Sequence, residues 1–410
     1  MQPKILLTTT VRWLAGARLA AGFAKIGCDV DAFAPDGAVM RLSRYLSAQY
    51  RYDVFAPLAS LSTAIAKSKP DLIVPCDDRA LSQLLSLAEQ DSAIRPLIAH
   101  SLGRLESYPK LISRSGFIAD ARDLGIRAAE SIAVESQQDL SAALARFGLP
   151  AVLKTDGSWG GDGVALVRTQ QEALDVFRRF SRPPSRLRGF ARAIKRHDAH
   201  FVMNVLKPRK SSLSVQRFIA GTPANSAFAC WQGRVLATLH VDVIQSQEGN
   251  GPACVVRRVE DEDMQRAAER IAARFELSGL HGIDFMRDAS GRAHVIESNP
   301  RATQTAMLVV GRGRDLLAAL IEAATQSRPS QRPAVTESAT VALFPQEWAR
   351  DPTSRWLSEA YHDVPWDDPA VLRAGLAAQQ RPVFSSAHAL GARFPQGHAF
   401  TTWKPSRPSF

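Results

Sequence analysis

Apolar residues recur in two rhythms along the chain, and the changes between them mark out its elements. Residues 4–10 (KILLTTT) form a short apolar run rich in β-formers, the signature of a buried strand. Leu14, Ala17, Ala21 and Ala24 then recur at helical spacing up to Gly27, a helix stop. A second strand follows at 28–35, closed by the turn residues Pro35, Asp36 and Gly37. Strand, helix and strand in that order predict a parallel βαβ unit. The alternation continues with a helix near 38–49, a helix around 58–68 and an apolar strand at 71–78. Residues 78–147 read as mostly helical, with a strand candidate at 129–136.

At Leu149 the rhythm changes to strand, glycine-rich turn and strand through residue 169. A helix from 170 runs into a basic, proline-broken linker that ends near 197. Between 199 and 260, short β-rich runs separated by glycine-containing turns predict an antiparallel sheet. A helix over 261–277 precedes a strand pair at 279–301. Beyond about 330 the periodicity weakens, and Trp348, Trp356, Trp366 and Trp403 read as anchors packing a small C-terminal unit onto the body.

Composition narrows the classes. With 410 residues, 45% hydrophobic and 22% charged, the chain has ordinary globular usage, which excludes wholesale disorder and a long coiled coil. Charged residues interrupt every apolar stretch, so no membrane span is expected, and residues 1–10 do not read as a signal segment. Four scattered cysteines without a CxxC pair suit a reducing cytoplasm. The excess of 51 basic over 40 acidic residues, +11, permits nucleic-acid contact or attraction to anionic small molecules such as nucleotides; without interleaved aromatics it reads as a solvated arginine-rich surface before a nucleic-acid footprint, and nucleic acid ranks last among partners. The first crossover, TTTVRWLAGAR, lacks the GxGxxG turn of a dinucleotide site.

Candidate chemistry concentrates in two segments. Residues 282–301 read as two strands joined by Asp288-Ala289-Ser290-Gly291, a hairpin that brings Asp284 and Glu297 side by side. Alternation places Glu297 and Asn299 on one face, with Arg301 two residues on. Two carboxylates and an amide oxygen are hard donors suited to Mg²⁺ with nucleotide phosphates, and an arginine beside them steadies developing charge. Read alone, the same residues fit a surface hairpin equally well. The second segment, AVLKTDGSWGGDGV, delivers Lys154 from a strand into a loop holding Gly157, Gly160, Gly161 and Gly163, whose backbone N–H groups can close over phosphate oxygens. No GK[ST] follows, so this is not a Walker A loop. Together the two segments point to nucleotide binding.

These segments, with Lys110 in SYPKLISRSGF and the run VQRFIAG, resemble the ATP-grasp superfamily; the hairpin ending Glu-x-Asn-Pro-Arg is the most specific of the motifs. The resemblance implies an N-terminal parallel α/β pre-grasp domain (1–104), a two-lobed ATP-grasp fold with antiparallel sheets (105–328, the lobes dividing near 200) and a C-terminal extension (329–410). It implies that Lys110 and Lys154 touch ATP phosphates, that Ser158, Gly160, Gly161 and Gly163 belong to a phosphate-covering loop, and that Gln216, Arg217, Phe218 and Ile219 form a hinge, with backbone groups of Arg217 and Ile219 reading the adenine edge. Asp284, Glu297 and Asn299 would hold Mg²⁺, with Mn²⁺ as a substitute, and Arg301 would face the acyl-phosphate oxygens. Arg257 or Arg258 would hold the γ-phosphate or a substrate carboxylate. His281, next to Gly282, reads either as a substrate contact or as a structural histidine. The stretch after the hinge, GTPANSA, offers no acid for the ribose.

The activity implied is an ATP-dependent ligase that converts a carboxylate to an acyl phosphate for attack by an amine or related nucleophile. Its partners would be small-molecule acids and amines, with a homodimer as the default assembly. A bicarbonate-activating carboxylase or carbamoyl-phosphate-type enzyme, and a nucleotide-binding regulatory protein with little catalysis, are the competing readings. Asp77 and Asp78 end a strand that faces the expected cleft and are candidate substrate contacts, or a solvated strand end.

Overall fold

The computed structural model describes residues 2–155, 163–181, 212–247, 251–311, 315–330 and 332–379. Three sheets organise them.

The N-terminal unit runs β1 (Lys4–Thr8), α1 (Ala15–Lys25), β2 (Asp29–Ala34), β3 (Ala48–Arg51), α2 (Pro57–Ser68), β4 (Leu72–Pro75), α3 (Asp78–Gln90) and α4 (Arg95–Leu102). Its strands pair in parallel in the order β3-β2-β1-β4. β1 and β4 are buried on both faces, which is why they read as unbroken apolar runs. The helix expected near 38–49 does not form. Residues Val39–Leu42 make a single 3₁₀ turn, Ser43 turns extended, and β3 adds to the sheet by pairing with Asp31–Ala34. Edge pairing outweighs the local helical pattern here, a tertiary effect that periodicity does not register.

The next segment carries α5 (Tyr108–Ile112), α6 (Arg114–Asp123), β5 (Ser131–Val134), α7 (Gln137–Phe147), β6 (Ala151–Thr155), β7 (Val164–Val167), α8 (Gln170–Ser181) and β8 (Leu213–Arg217). The small antiparallel sheet has the order β5-β8-β6-β7 and its own core against α7 and α8. Ser136 and Asp139 form a capping box that starts α7.

The large sheet takes β9 (Thr222–Trp231), β10 (Arg234–Ser246), β11 (Ala253–Val259), β12 (Gly279–Arg287) and β13 (Ala293–Asn299), with α9 (Glu262–Phe275) and α10 (Leu316–Thr325) packed on it. Its order is β13-β12-β9-β10-β11-β14-β15, the last two being Thr340–Leu343 and Tyr361–Asp363. Residues beyond 330 therefore extend this sheet, and two ion pairs, Arg18 with Asp363 and Lys25 with Asp367, fasten them to α1. Of the expected tryptophan anchors, Trp348 and Trp356 are half-buried. Trp366 is not an anchor, being 62% exposed, and Trp403 lies outside the described residues.

One continuous apolar cluster joins α1 and the first sheet to the β9–β10 face and α10; another joins the opposite face to α9. The N-terminal unit and the large sheet are thus packed through shared cores. The small sheet keeps a separate core and meets the large sheet through polar side chains.

Candidate active site

Pairing of β12 with β13 sets Asp284 opposite Glu297 and Gly282 opposite Asn299, all on one face. Ile283, Phe285 and Val295 fill the core on the other face. Asn299 Nδ2 donates to Asp284 Oδ2 at 3.0 Å, locking the amide beside the carboxylate. At Gly282 a Cβ would sit 2.4 Å from the Thr303 methyl, so the lack of a side chain lets the loop after the hairpin close over this face.

The register skips Ile296, which bulges out of the ladder. Its freed carbonyl accepts from two residues of the small sheet, Lys154 Nζ (3.2 Å) and Gln216 Nε2 (3.0 Å). Alternation on β6 and β8 makes this possible: Leu153 and Val215 face the small core, while Lys154 and Gln216 face the large sheet. Lys154 also lies 3.8 Å from Glu297.

Arg114, the first residue of α6, closes the cluster. Its Nε and an NH2 nitrogen reach Glu297 Oε1 at 3.2 and 2.9 Å, and its other terminal nitrogen donates to the Thr155 carbonyl. On the remaining side, Arg301 donates to Asn299 Oδ1 (3.1 Å) and to Asp78 Oδ1 (2.9 Å).

Charge follows the geometry. Burial and the facing Glu297 push the Asp284 carboxyl up to about 6. For Glu297 burial acts upward, but Arg114 and Lys154 together outweigh it and hold the group below its ordinary range. Burial pulls the Lys154 ammonium down by more than Glu297 restores. Burial opposes the charge of Arg301, yet Asp78 and the carboxylates behind it keep its pKa raised.

The expected site residues divide sharply. Lys154, Gln216, Asp284, Glu297, Asn299 and Arg301 come together. Phe218 and Ile219 lie, half-buried, in the connection that carries the chain from the small sheet to the large one. The Arg217 side chain lies exposed over the Phe147 ring, 3.6 Å from Glu130, while the expectation for this residue concerns its backbone. Gly163 is buried and accepts from the Thr155 N–H; Ser158, Gly160 and Gly161 lie outside the described residues. Lys110 is exposed beside Asp120 and does not join the cluster. Arg257 sits on the opposite sheet face near Thr340. Arg258 shares the face of Asp284, in one cross-strand row with Asn225 and Val241, about 14 Å away at ordinary strand spacing. It pairs with Glu260. His281 also faces away, stacked on Phe228 in the core, where burial lowers its pKa to about 4.

Sequence reading missed Arg114 and the Ile296 carbonyl. A signal for the first exists: Ser113 caps α6, accepting from the Gly116 N–H. That break separates Lys110 and Arg114, which a single helix would place on one face, and turns only the second inward. A bulge leaves no comparable signal.

Among the described residues, no three His, Cys, Asp or Glu side chains gather as a metal cage. Two carboxylates and one amide do gather, beside a lysine and two arginines. Residues 192–305 match the model of an ATP-grasp domain. Over those residues the chain is similar to ATP-grasp domains.

Solved ATP-grasp structures share the architecture. N5-carboxyaminoimidazole synthase from Aspergillus clavatus, in complex with ADP and 5-aminoimidazole ribonucleotide, superimposes with a TM-score of 0.59 at 14% identity, covering 81% of this chain and 78% of that one. N5-carboxyaminoimidazole synthetase from Staphylococcus aureus, complexed with ADP, gives 0.56 at 13% identity over 82% and 80%. The biotin carboxylase domain of Hydrogenobacter thermophilus 2-oxoglutarate carboxylase, in complex with MgADP, ADP and bicarbonate, gives 0.57 at 14% over 82% and 71%. No curated protein matches the sequence. At these identities the likeness establishes the ATP-grasp fold. No described helix is long and apolar enough to cross a membrane.

Proposed function

We propose that the chain is an ATP-dependent ligase that activates a carboxylate as an acyl phosphate and passes the acyl group to an amine or related nucleophile. The supporting observation is the convergence of Asp284, Glu297 and Asn299 from the large sheet, Lys154 from the small sheet, Arg114 from the start of α6, and Arg301 from the hairpin end.

Asp284, Glu297 and Asn299 suit Mg²⁺, with Mn²⁺ as a substitute. Burial and the repulsion of the facing Glu297 raise Asp284, and a divalent cation held by this donor set would offset both. When bound, the metal neutralises phosphate charge. Lys154 and Arg114 lie where phosphates meet that donor set, and Arg114 takes the part expected of Lys110. Both cations now rest on Glu297, so an incoming triphosphate offers them a richer set of anionic oxygens. Gln216 and the strand connection through Phe218 and Ile219 lie at the junction of the two sheets, where a base would insert between the lobes.

The reaction has two displacements. A carboxylate oxygen attacks the γ-phosphorus, the bond to the β–γ bridging oxygen breaks, and ADP leaves. The amine nitrogen then attacks the acyl carbon, the carbon–oxygen bond to phosphate breaks, and the nitrogen loses a proton. In the first step negative charge accumulates on equatorial oxygens, and Lys154, Arg114 and Arg301 offset it by fixed placement.

A second reading, that the acid is bicarbonate, draws support from the fold shared with a biotin carboxylase domain whose complex contains that anion. One screen tests both. ADP release is measured with MgATP across amino acids, hydroxy acids and bicarbonate, each with and without amines. Release that requires one acid supports the ligase, and release that requires bicarbonate selects the second reading. Full acid-dependent turnover by Glu297→Ala overturns the assignment.

A further inference from the structure

Arg301 is held by two parts of the chain. Its Nη2 donates to Asn299 and its Nη1 to the Ala302 carbonyl at 3.4 Å; Nε donates to Asp78, the first residue of α3 in the N-terminal unit. Both partners are anchored. Asn299 is fixed to Asp284. Beside Asp78, Asp77 caps α3 and accepts from the hydroxyls of Thr9 and Thr10 (2.8 Å each) and from the Thr10 N–H (2.6 Å). The Ala302 N–H donates to the Pro75 carbonyl at 3.1 Å, so the backbone is tied on both sides of the ion pair. The Trp13 ring, 6.0 Å from the guanidinium carbon, stands on a third side. Only 8% of Arg301 is exposed.

We propose that Asp78 is a positioning residue for Arg301. By holding Nε it keeps the neighbouring Nη2 on Asn299, above the Asp284–Glu297 pair, so the N-terminal unit sets the geometry of the metal-side cluster. The proposal rests on the reading of Arg301 as the group that faces the acyl phosphate. A guanidinium is a planar fork whose direction is set by what each edge binds, and its flexible stem supplies no direction of its own. Without the Asp78 carboxylate, a mostly buried cation keeps only the neutral acceptors of Asn299 and Ala302, with Nε left open. The other carboxylates acting on it are Asp77, already saturated by Thr9 and Thr10, and Asp284. Arg301 then turns inward onto Asp284, away from the position where the acyl phosphate forms. A misplacement of about 1 Å in such a group costs on the order of a hundredfold in rate.

The test uses the full chain, MgATP and the acid found in the ADP-release screen. Asp78→Ala is expected to lower kcat about a hundredfold with KM for ATP within about twofold of the parent. Asp78→Asn, which keeps an acceptor oxygen, loses less, and Asp78→Ala adds nothing further in an Arg301→Ala background. Additive losses, an effect confined to KM for ATP, or unchanged turnover overturns the proposal. Independently of turnover, the ¹⁵Nε–¹Hε signal of Arg301, assigned by its loss in Arg301→Lys, is expected to exchange slowly in the parent and Asp78→Asn and to vanish in Asp78→Ala. Its persistence in Asp78→Ala also overturns the proposal. If the parent releases no ADP with any acid, the ligase reading fails, and this signal alone decides the positioning role.

Discussion

Arg114 grips a single oxygen of Glu297 with two nitrogens, at 3.2 and 2.9 Å, from the start of α6, whose apolar side packs into the core behind β13. A cation from α6 thus rests on an acid that the proposed mechanism gives to a metal. If Arg114 transfers to phosphate when nucleotide arrives, Arg114→Ala weakens MgATP binding by about ten- to a hundredfold, the range of one charge-assisted contact. Lys110→Ala, removing an exposed side chain, leaves it within about twofold. Titration calorimetry with a non-hydrolysable ATP analogue and Mg²⁺ compares the two; equal losses contradict the assignment.

Mg²⁺ dependence carries a pH signature. Asp284 titrates at about 6 because it is enclosed and faces Glu297. Metal binding needs the carboxylate form, so protons compete as pH falls below about 6, and the apparent Mg²⁺ affinity drops by up to about tenfold per pH unit. Above 7 the affinity levels off. Calorimetric Mg²⁺ titrations from pH 5 to 8 check this, and Asp284→Asn is expected to flatten the profile at weaker binding. A flat profile in the parent contradicts the placement of Asp284 at the metal.

Asp77 ties the end of β1 to the start of α3 through Thr9, Thr10 and the N–H groups of Arg79 and Ala80. Asp77→Ala strands several buried donors at once and costs about 2–4 kcal/mol of stability. Urea denaturation reads this as a lower midpoint with the slope preserved. A loss under about 0.5 kcal/mol shows that water replaces the carboxylate.

His281 gives a stability signature apart from the site. Its Nε2 lies 2.9 Å from the Ser278 carbonyl, which can only accept, so the ring is the Nε2–H tautomer with Nδ1 unpartnered. The folded protein holds it near 4, while the unfolded chain protonates near 6.5. The unfolded state therefore binds the extra proton between those values. Stability is full above about 6.5 and falls as pH drops toward 4, by on the order of 3 kcal/mol in all. His281→Phe is expected to remove that part of the pH dependence of the denaturation midpoint, and an unchanged slope counts against a neutral buried ring.

Much of the architecture was legible in the chain. Unbroken apolar runs at Ile5–Leu7 and Leu72–Val74 declared strands buried on both faces, and the alternation through Asp284, Glu297 and Asn299 declared a shared face. These readings depend on local periodicity, which side-chain direction imposes over a few residues. Ala48–Arg51 was illegible because its strand character comes from pairing with β2, whose residues lie some fifteen positions earlier. His281 sat beside the acids in sequence, yet one residue of alternation sent it into the core.

The hard-oxygen hairpin, the lysine before the glycine run and the parallel N-terminal unit were decided by sequence alone, because neighbours along a strand or turn have their relative directions set by the backbone. Which cations reach those oxygens was decided by the tertiary structure. Arg114 outranks Lys110 through a helix break at Ser113, Ile296 offers its carbonyl through a bulge, and Arg301 is shared with Asp78 more than two hundred residues away. Such meetings depend on how separate elements pack, and packing is a property of distances that no local pattern contains.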